Sequence, residues 1–201
     1  ASNWSHLHTV WLTNLPMNLA AYDALDQMKS LRCLKLHTTN PVDFELNPTN
    51  LGEFSQAATN GHHTFWGRLE ELALLNVGNV DEIIHRLDGS PNLRKLLVDD
   101  SFSISTTREL HRFQKLEWLE LKARTFKDQR AQSVDDELVR NVARLKTLKI
   151  IRLNGSLSPA QIKMLTGCPW FSSIVLSSNA YSTSTMKSLT ASDPRIRFMD
   201  L

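Results

Sequence analysis

One spacing pattern constrains this chain more than any other feature. The arrangement apolar-x-x-apolar-x-apolar recurs eight times, as Leu7-Val10-Leu12, Leu31-Leu34-Leu36, Leu69-Leu72-Leu74, Leu93-Leu96-Val98, Leu116-Leu119-Leu121, Leu148-Ile151-Leu153, Phe171-Ile174-Leu176 and Ile196-Met199-Leu201. Successive copies begin 24, 38, 24, 23, 32, 23 and 25 residues apart. Five of those seven intervals lie within one residue of 24, and the other two exceed it by 14 and 8. A single such hexad means little in a leucine-rich chain, but a near-constant interval makes internal repetition the organising principle.

Each hexad reads as a short strand. Its fourth and sixth positions point to one side at period two, its first position turns in from the preceding loop, and the residues between face the other way. Helical spacing follows most hexads: Leu19, Leu25 and Met28, then Val80, Ile83, Ile84 and Leu87, then Val134, Leu138, Val142 and Leu145, then Ile162 and Leu165. Asn79, Ser133 and Ser158-Pro159 supply N-terminal cap signals, and Gly89-Ser90-Pro91 and Gly167-Cys168-Pro169 supply stops. A lone strand-loop-helix unit cannot bury both of its apolar faces, so the units must stack. The expected fold class is therefore α/β: a curved, right-handed βα superhelix with a parallel sheet on its concave side and helices on its convex side. At 201 residues this is one domain over 1–201 with about eight repeats.

The two long intervals predict excursions near 37–68 and 122–147. The first holds the turn formers Asn40-Pro41, Asn47-Pro48 and Asn60-Gly61, with a displaced helix expected from Asn50 to Ala58. The second carries Lys122, Arg124, Lys127 and Arg130. The first hexad begins at residue 7 and the last ends at residue 201, with no polar cap sequence at either end. Flanking chain or a partner subunit is expected to cover the ends, and the chain reads as part of a longer one.

These residues resemble the leucine-rich repeat family over essentially the whole chain. The segments Gly89-Ser90-Pro91-Asn92-Leu93-Arg94-Lys95-Leu96 and Gly167-Cys168-Pro169-Trp170-Phe171 are similar to its cysteine-containing subclass, where a Cys-Pro-x-Leu lead-in precedes each strand. That subclass is best known from the substrate-binding half of F-box proteins, so the resemblance implies a substrate receptor of a ubiquitin ligase or an assembly scaffold. The chain departs from the pattern in the asparagine or cysteine that usually follows the third apolar position, and it shows no F-box.

Composition narrows the function classes. Formal net charge is +2, with 41% hydrophobic and 22% charged residues, which argues against polyanion binding by bulk charge and against disorder. No apolar run is long enough to cross a bilayer, no secretory leader is visible, and the two cysteines, Cys33 and Cys168, favour a reducing, intracellular compartment. His6-x-His8 and His62-His63 lack further zinc ligands, the glycines are dispersed, and no Gly-x-Ser-x-Gly surrounds any serine. The expectation is a chain with no catalytic residues, no metal and no cofactor.

The outward strand positions carry the functional reading. Taken in order, they are Thr9/Trp11, Cys33/Lys35, Glu71/Ala73, Lys95/Leu97, Trp118/Glu120, Ile150/Arg152, Ser173/Val175 and Phe198/Asp200. Leu97, Trp118, Ile150 and Val175 are expected to form an apolar stripe across adjacent strands, flanked by Lys95, Glu120 and Arg152. Exposed patches of that kind mark interfaces, although aromatic and branched residues also simply suit strands. These seven residues are the expected site for a protein partner. The alternatives are an RNA-binding repeat domain using Lys122, Arg124, Lys127 and Arg130, and a regulatory repeat region of a larger enzyme.

Overall fold

The computed structural model of the protein describes residues 4–14, 19–39, 64–77, 80–87, 90–99, 103–122 and 134–200. Strands and helices alternate along it: β1 (Thr9–Thr13), α1 (Leu19–Gln27), β2 (Cys33–His37), α2 (Phe65–Arg68), β3 (Glu71–Leu75), α3 (Val80–Arg86) and β4 (Lys95–Asp99) come first. Then follow α4 (Ile104–Glu109), β5 (Trp118–Leu121), α5 (Asp136–Ala143), β6 (Ile150–Leu153), α6 (Pro159–Thr166), β7 (Ser173–Ser177), α7 (Thr183–Ser192) and β8 (Ile196–Met199). The strands form one open, eight-stranded parallel sheet whose spatial order is the order of sequence.

The hexads set the register of this sheet. Leu34, Leu72, Leu96, Leu119, Ile151 and Ile174 are successive Cα partners across β2 to β7, and none is more than 1% exposed. The sixth positions form a parallel row, and the first positions from Leu31 to Phe171 are equally sealed. Helix residues Val80, Ile83, Ile84, Leu138, Val142 and Leu165 join them in one core, so the helices cover this face, and among the described residues the other face of the sheet is free of them.

Both edge strands depart from the expected frame. At β1 the first hexad position, Leu7, is 43% exposed, because no strand lies outside it among the described residues. At β8 the register pairs Ile174 with Ile196 and Leu176 with Phe198. The last repeat is therefore framed three residues away from the hexad Ile196-Met199-Leu201, and Phe198 points toward the core rather than outward. Its ring meets Tyr181 edge-on at 5.4 Å between centroids. The position equivalent to Phe171 is then Asp193, whose carboxylate accepts from Arg195 N at 2.9 Å.

The helix ends explain themselves chemically. Ser158 and Gln161 form a reciprocal capping box on α6, with Pro159 in the first turn. Gly167 ends that helix in right-handed geometry, and a Cβ there would lie 3.1 Å from Lys163 O. The cap of α5 is Asp135 rather than the expected Ser133: its carboxylate accepts from Glu137 N at 2.6 Å. Asn79, Gly89 and the helix expected over 50–58 lie outside the described residues. The 122–147 interval is in part regular, since α5 occupies 136–143.

Two asparagines after the strands take left-handed backbone, Asn14 with φ 54° and Asn76 with φ 57°. Asn76 Nδ2 donates to Thr38 O at 2.8 Å while its own N donates to Asp99 O at 2.9 Å, which ties three successive units together. Asn14 likewise accepts from Thr39 N at 2.7 Å. Both asparagines thus link neighbouring units just after a strand. No helix among the described residues is long and apolar enough to cross a membrane.

Candidate protein-docking surface

On the helix-free face the register creates two rows of side chains. Cys33, Glu71, Lys95, Trp118, Ile150 and Ser173 form one, and Lys35, Ala73, Leu97, Glu120, Arg152 and Val175 form the other. The expected stripe is consequently broken: Trp118 and Ile150 are neighbours, but Leu97 lies opposite Glu120, and Val175 lies opposite Arg152. Lys95, Leu97, Trp118, Ile150 and Arg152 are half-buried, whereas Glu120 and Val175 are only 4% and 6% exposed.

Trp118 holds the centre. Lys95 Nζ from the strand on one side sits 4.5 Å from its ring centroid, and the Arg152 guanidinium from the strand on the other side sits 4.7 Å from it. Cations over an indole face gain from its quadrupole and restrict its rotamers. Arg152 Nη1 also donates to Glu120 Oε2 at 3.2 Å, and Lys122 Nζ lies 3.5 Å from Glu120 Oε1. A buried carboxylate needs such partners to remain charged. On the opposite flank Lys95 Nζ lies 3.5 Å from Glu71 Oε2, which accepts from the Cys33 thiol at 4.0 Å. One chain of polar contacts therefore runs from Cys33 through Trp118 to Lys122 across five strands.

A shallow depression of about 130 Å³ adjoins this network, walled by Trp11, Cys33, Lys35, Glu71, Lys95 and Leu97. Trp11 is 63% exposed, with Lys35 Nζ 5.6 Å from its ring centroid. Neither Trp11 nor Lys35 is among the seven expected partner-binding residues; their outward fifth positions in the first two hexads were the signal. Burial first, and the neighbouring Glu71 carboxylate second, raise the Cys33 thiol above its ordinary pKa. That makes it a weak nucleophile at neutral pH.

Among the described residues no group of three or more His, Cys, Asp or Glu is placed to hold a metal ion. Of the basic run proposed for RNA contact, Lys122 is committed to Glu120, and Arg124, Lys127 and Arg130 lie outside the described residues, as do His62 and His63. No protein-family model matches the chain, and no curated protein matches it.

Proposed function

We propose that this chain is a non-catalytic protein-recognition module of leucine-rich repeat type, working inside the cell. In this reading the parallel sheet and its helices coil as a right-handed solenoid, and the helix-free face is its concave, partner-binding side. Supporting the repeat assignment, the hydroxyl of Ser90 donates to Trp66 O at 3.0 Å and the thiol of Cys168 to Ala143 O at 3.6 Å. Both groups occupy the same place before a hexad, and both reach a carbonyl of the preceding coil. This is the chemistry a Cys-Pro-x-Leu lead-in supplies. Substrate receptor and assembly scaffold are the roles that fit such a module.

The observation that carries the docking assignment is Trp118 flanked by Lys95 and Arg152. Rigid aromatic anchors beside ordered charges lose little side-chain entropy on binding, and such residues concentrate interface energy. The depression beside Trp11 and Cys33 extends the same face toward β1.

The test is affinity capture with tagged full chain, wild type against Trp118→Ala, followed by titration of any enriched protein. Capture should weaken by more than about 1 kcal/mol, a several-fold rise in Kd, with an unchanged circular dichroism spectrum. An unchanged partner set and affinity in the variant rejects the docking assignment.

A further inference from the structure

The loops that lead into β4, β5, β6 and β7 form a second surface at the entries of these strands. Arg94, Lys115, Lys146 and Lys149 converge there on a groove of about 350 Å³, with Trp170 as a flat wall. Gln114 and Thr147 add an amide and a hydroxyl that can donate. Glu117 is the one acid in the lining among the described residues. It sits between two of the cations, 2.7 Å from Lys149 Nζ and 3.7 Å from Arg94 Nη1, and the Lys149 hydrogen bond holds its carboxyl below the usual range. Glu117 therefore stays ionised and offsets one of four positive charges, leaving three. Its contacts do not close the groove, since the Lys149 and Arg94 side chains remain 59% and 55% exposed.

A groove this rich in donors is completed by a ligand that brings acceptors and more than one negative charge. A carboxylate brings one charge. A phosphomonoester brings about −1.5 to −2 at neutral pH and three strong acceptor oxygens. The groove volume falls at the lower end of the roughly 300–1,000 Å³ typical of built small-molecule sites, so it has room for the carrier as well as the phosphoryl group. We propose that the Arg94–Lys115–Lys146–Lys149 groove binds a phosphomonoester carried on a peptide side chain. The site lies off the sheet face and does not rest on the docking role of Trp118.

Fluorescence anisotropy with the full chain tests this, using a labelled Gly-Ala-phosphoSer-Ala-Gly peptide and its unphosphorylated twin. The phosphopeptide should bind about tenfold or more tighter than the twin, as charge-assisted hydrogen bonds to phosphate predict. Lys146→Ala with Lys149→Ala should remove most of that difference, and Glu117→Gln should strengthen phosphopeptide binding by deleting the opposing charge. Lys146 and Lys149 are exposed, so the fold is expected to persist, with circular dichroism as the control. Equal affinity for the two peptides, or a difference that survives the double substitution, overturns the proposal. Weaker binding in Glu117→Gln overturns it too, and so does mixed-sequence RNA competing as well per phosphate as the phosphopeptide, which would point to phosphodiester recognition instead.

Discussion

The Arg152 guanidinium lies 4.7 Å from the centroid of the Trp118 ring, and the same side chain donates to Glu120, two residues further along the tryptophan's own strand. Arg152 thus joins an aromatic surface to a buried carboxylate. Glu120 is sealed under its partners, so the cation that orients Trp118 is also the one that keeps an internal charge compensated. Shape and electrostatics on the helix-free face are consequently not separable.

Replacing Arg152 with Ala should expose this coupling. Lys122 remains near Glu120, so the loss is less than for a fully orphaned buried charge, about 2 kcal/mol. Lys149→Ala, which breaks an exposed pair with Glu117, should cost under about 1 kcal/mol. Urea midpoints of the two variants check the order, and an equal shift would mean that Glu120 is well solvated.

Gln161 makes a sharper stability prediction. It is 3% exposed, its Oε1 accepts from Ser158 N at 2.7 Å, and its Nε2 donates to Val134 O at 2.7 Å and Asp136 Oδ1 at 2.6 Å. It therefore binds the start of α6 to the start of α5. Ser158→Ala should cost about 1 kcal/mol, the usual worth of an N-cap. Gln161→Ala removes three hydrogen bonds made by a buried side chain and should cost more, about 2–3 kcal/mol. Thermal unfolding of both variants decides the order, and a Gln161 change no larger than the Ser158 change would reduce its role to ordinary capping.

Much of this architecture was legible because leucine spacing carries register directly: from Leu34 to Ile174 each hexad finds its partner without a shift. The misframed strand shows the limit of that signal. At β8 the first position is Asp193, which caps Arg195 while Arg195 Nη1 donates to Cys168 O at 2.9 Å, so a polar clasp replaces the apolar residue the pattern demands. Three helices also escaped: the single turn of α2, and the longer α4 and α7. In α4, Thr106 and Thr107 are buried but hydrogen-bonded, to Asp81 and to Ile104 O, and α7 buries no residue fully. Apolar periodicity cannot report elements held by polar ladders. The site was legible residue by residue but not as a stripe, because Trp118 and Ile150 stand at third hexad positions while Leu97 and Val175 stand at fifth ones, and the unshifted register sets Glu120 between Leu97 and Arg152.

The Cys33 thiol offers a chemical reporter of the same face. Burial and Glu71 both raise its pKa, so less of it is thiolate at pH 7.5 than in a free cysteine, and iodoacetamide should modify it more slowly. Glu71→Gln removes one of the two causes and should accelerate Cys33 alkylation while leaving Cys168, which lies far from that carboxylate in the fold, unchanged. Peptide mass mapping over a time course measures both rates. Equal rates at Cys33 in wild type and variant would show that Glu71 does not reach the thiol.

Asp193 gives the acid-side prediction. Its hydrogen bonds from Arg195 hold its carboxyl below the ordinary value, so the folded state favours the ionised form more than the unfolded chain does. Stability from this contact is present in full above the unfolded carboxylate pKa of about 3.9, and it is lost as pH falls through the lower folded value. Asp193→Asn carries no such charge. Wild type should therefore exceed the variant in stability by about 1 kcal/mol at neutral pH, an amount set by a charged hydrogen-bonded pair that is partly exposed. The gap should be constant from neutral pH to about pH 5 and should close toward pH 2. Urea midpoints for both proteins across that range measure it, with every other carboxylate cancelling in the difference. A gap that persists undiminished at pH 2 would assign the contact to neutral hydrogen bonding and remove the charge from the account.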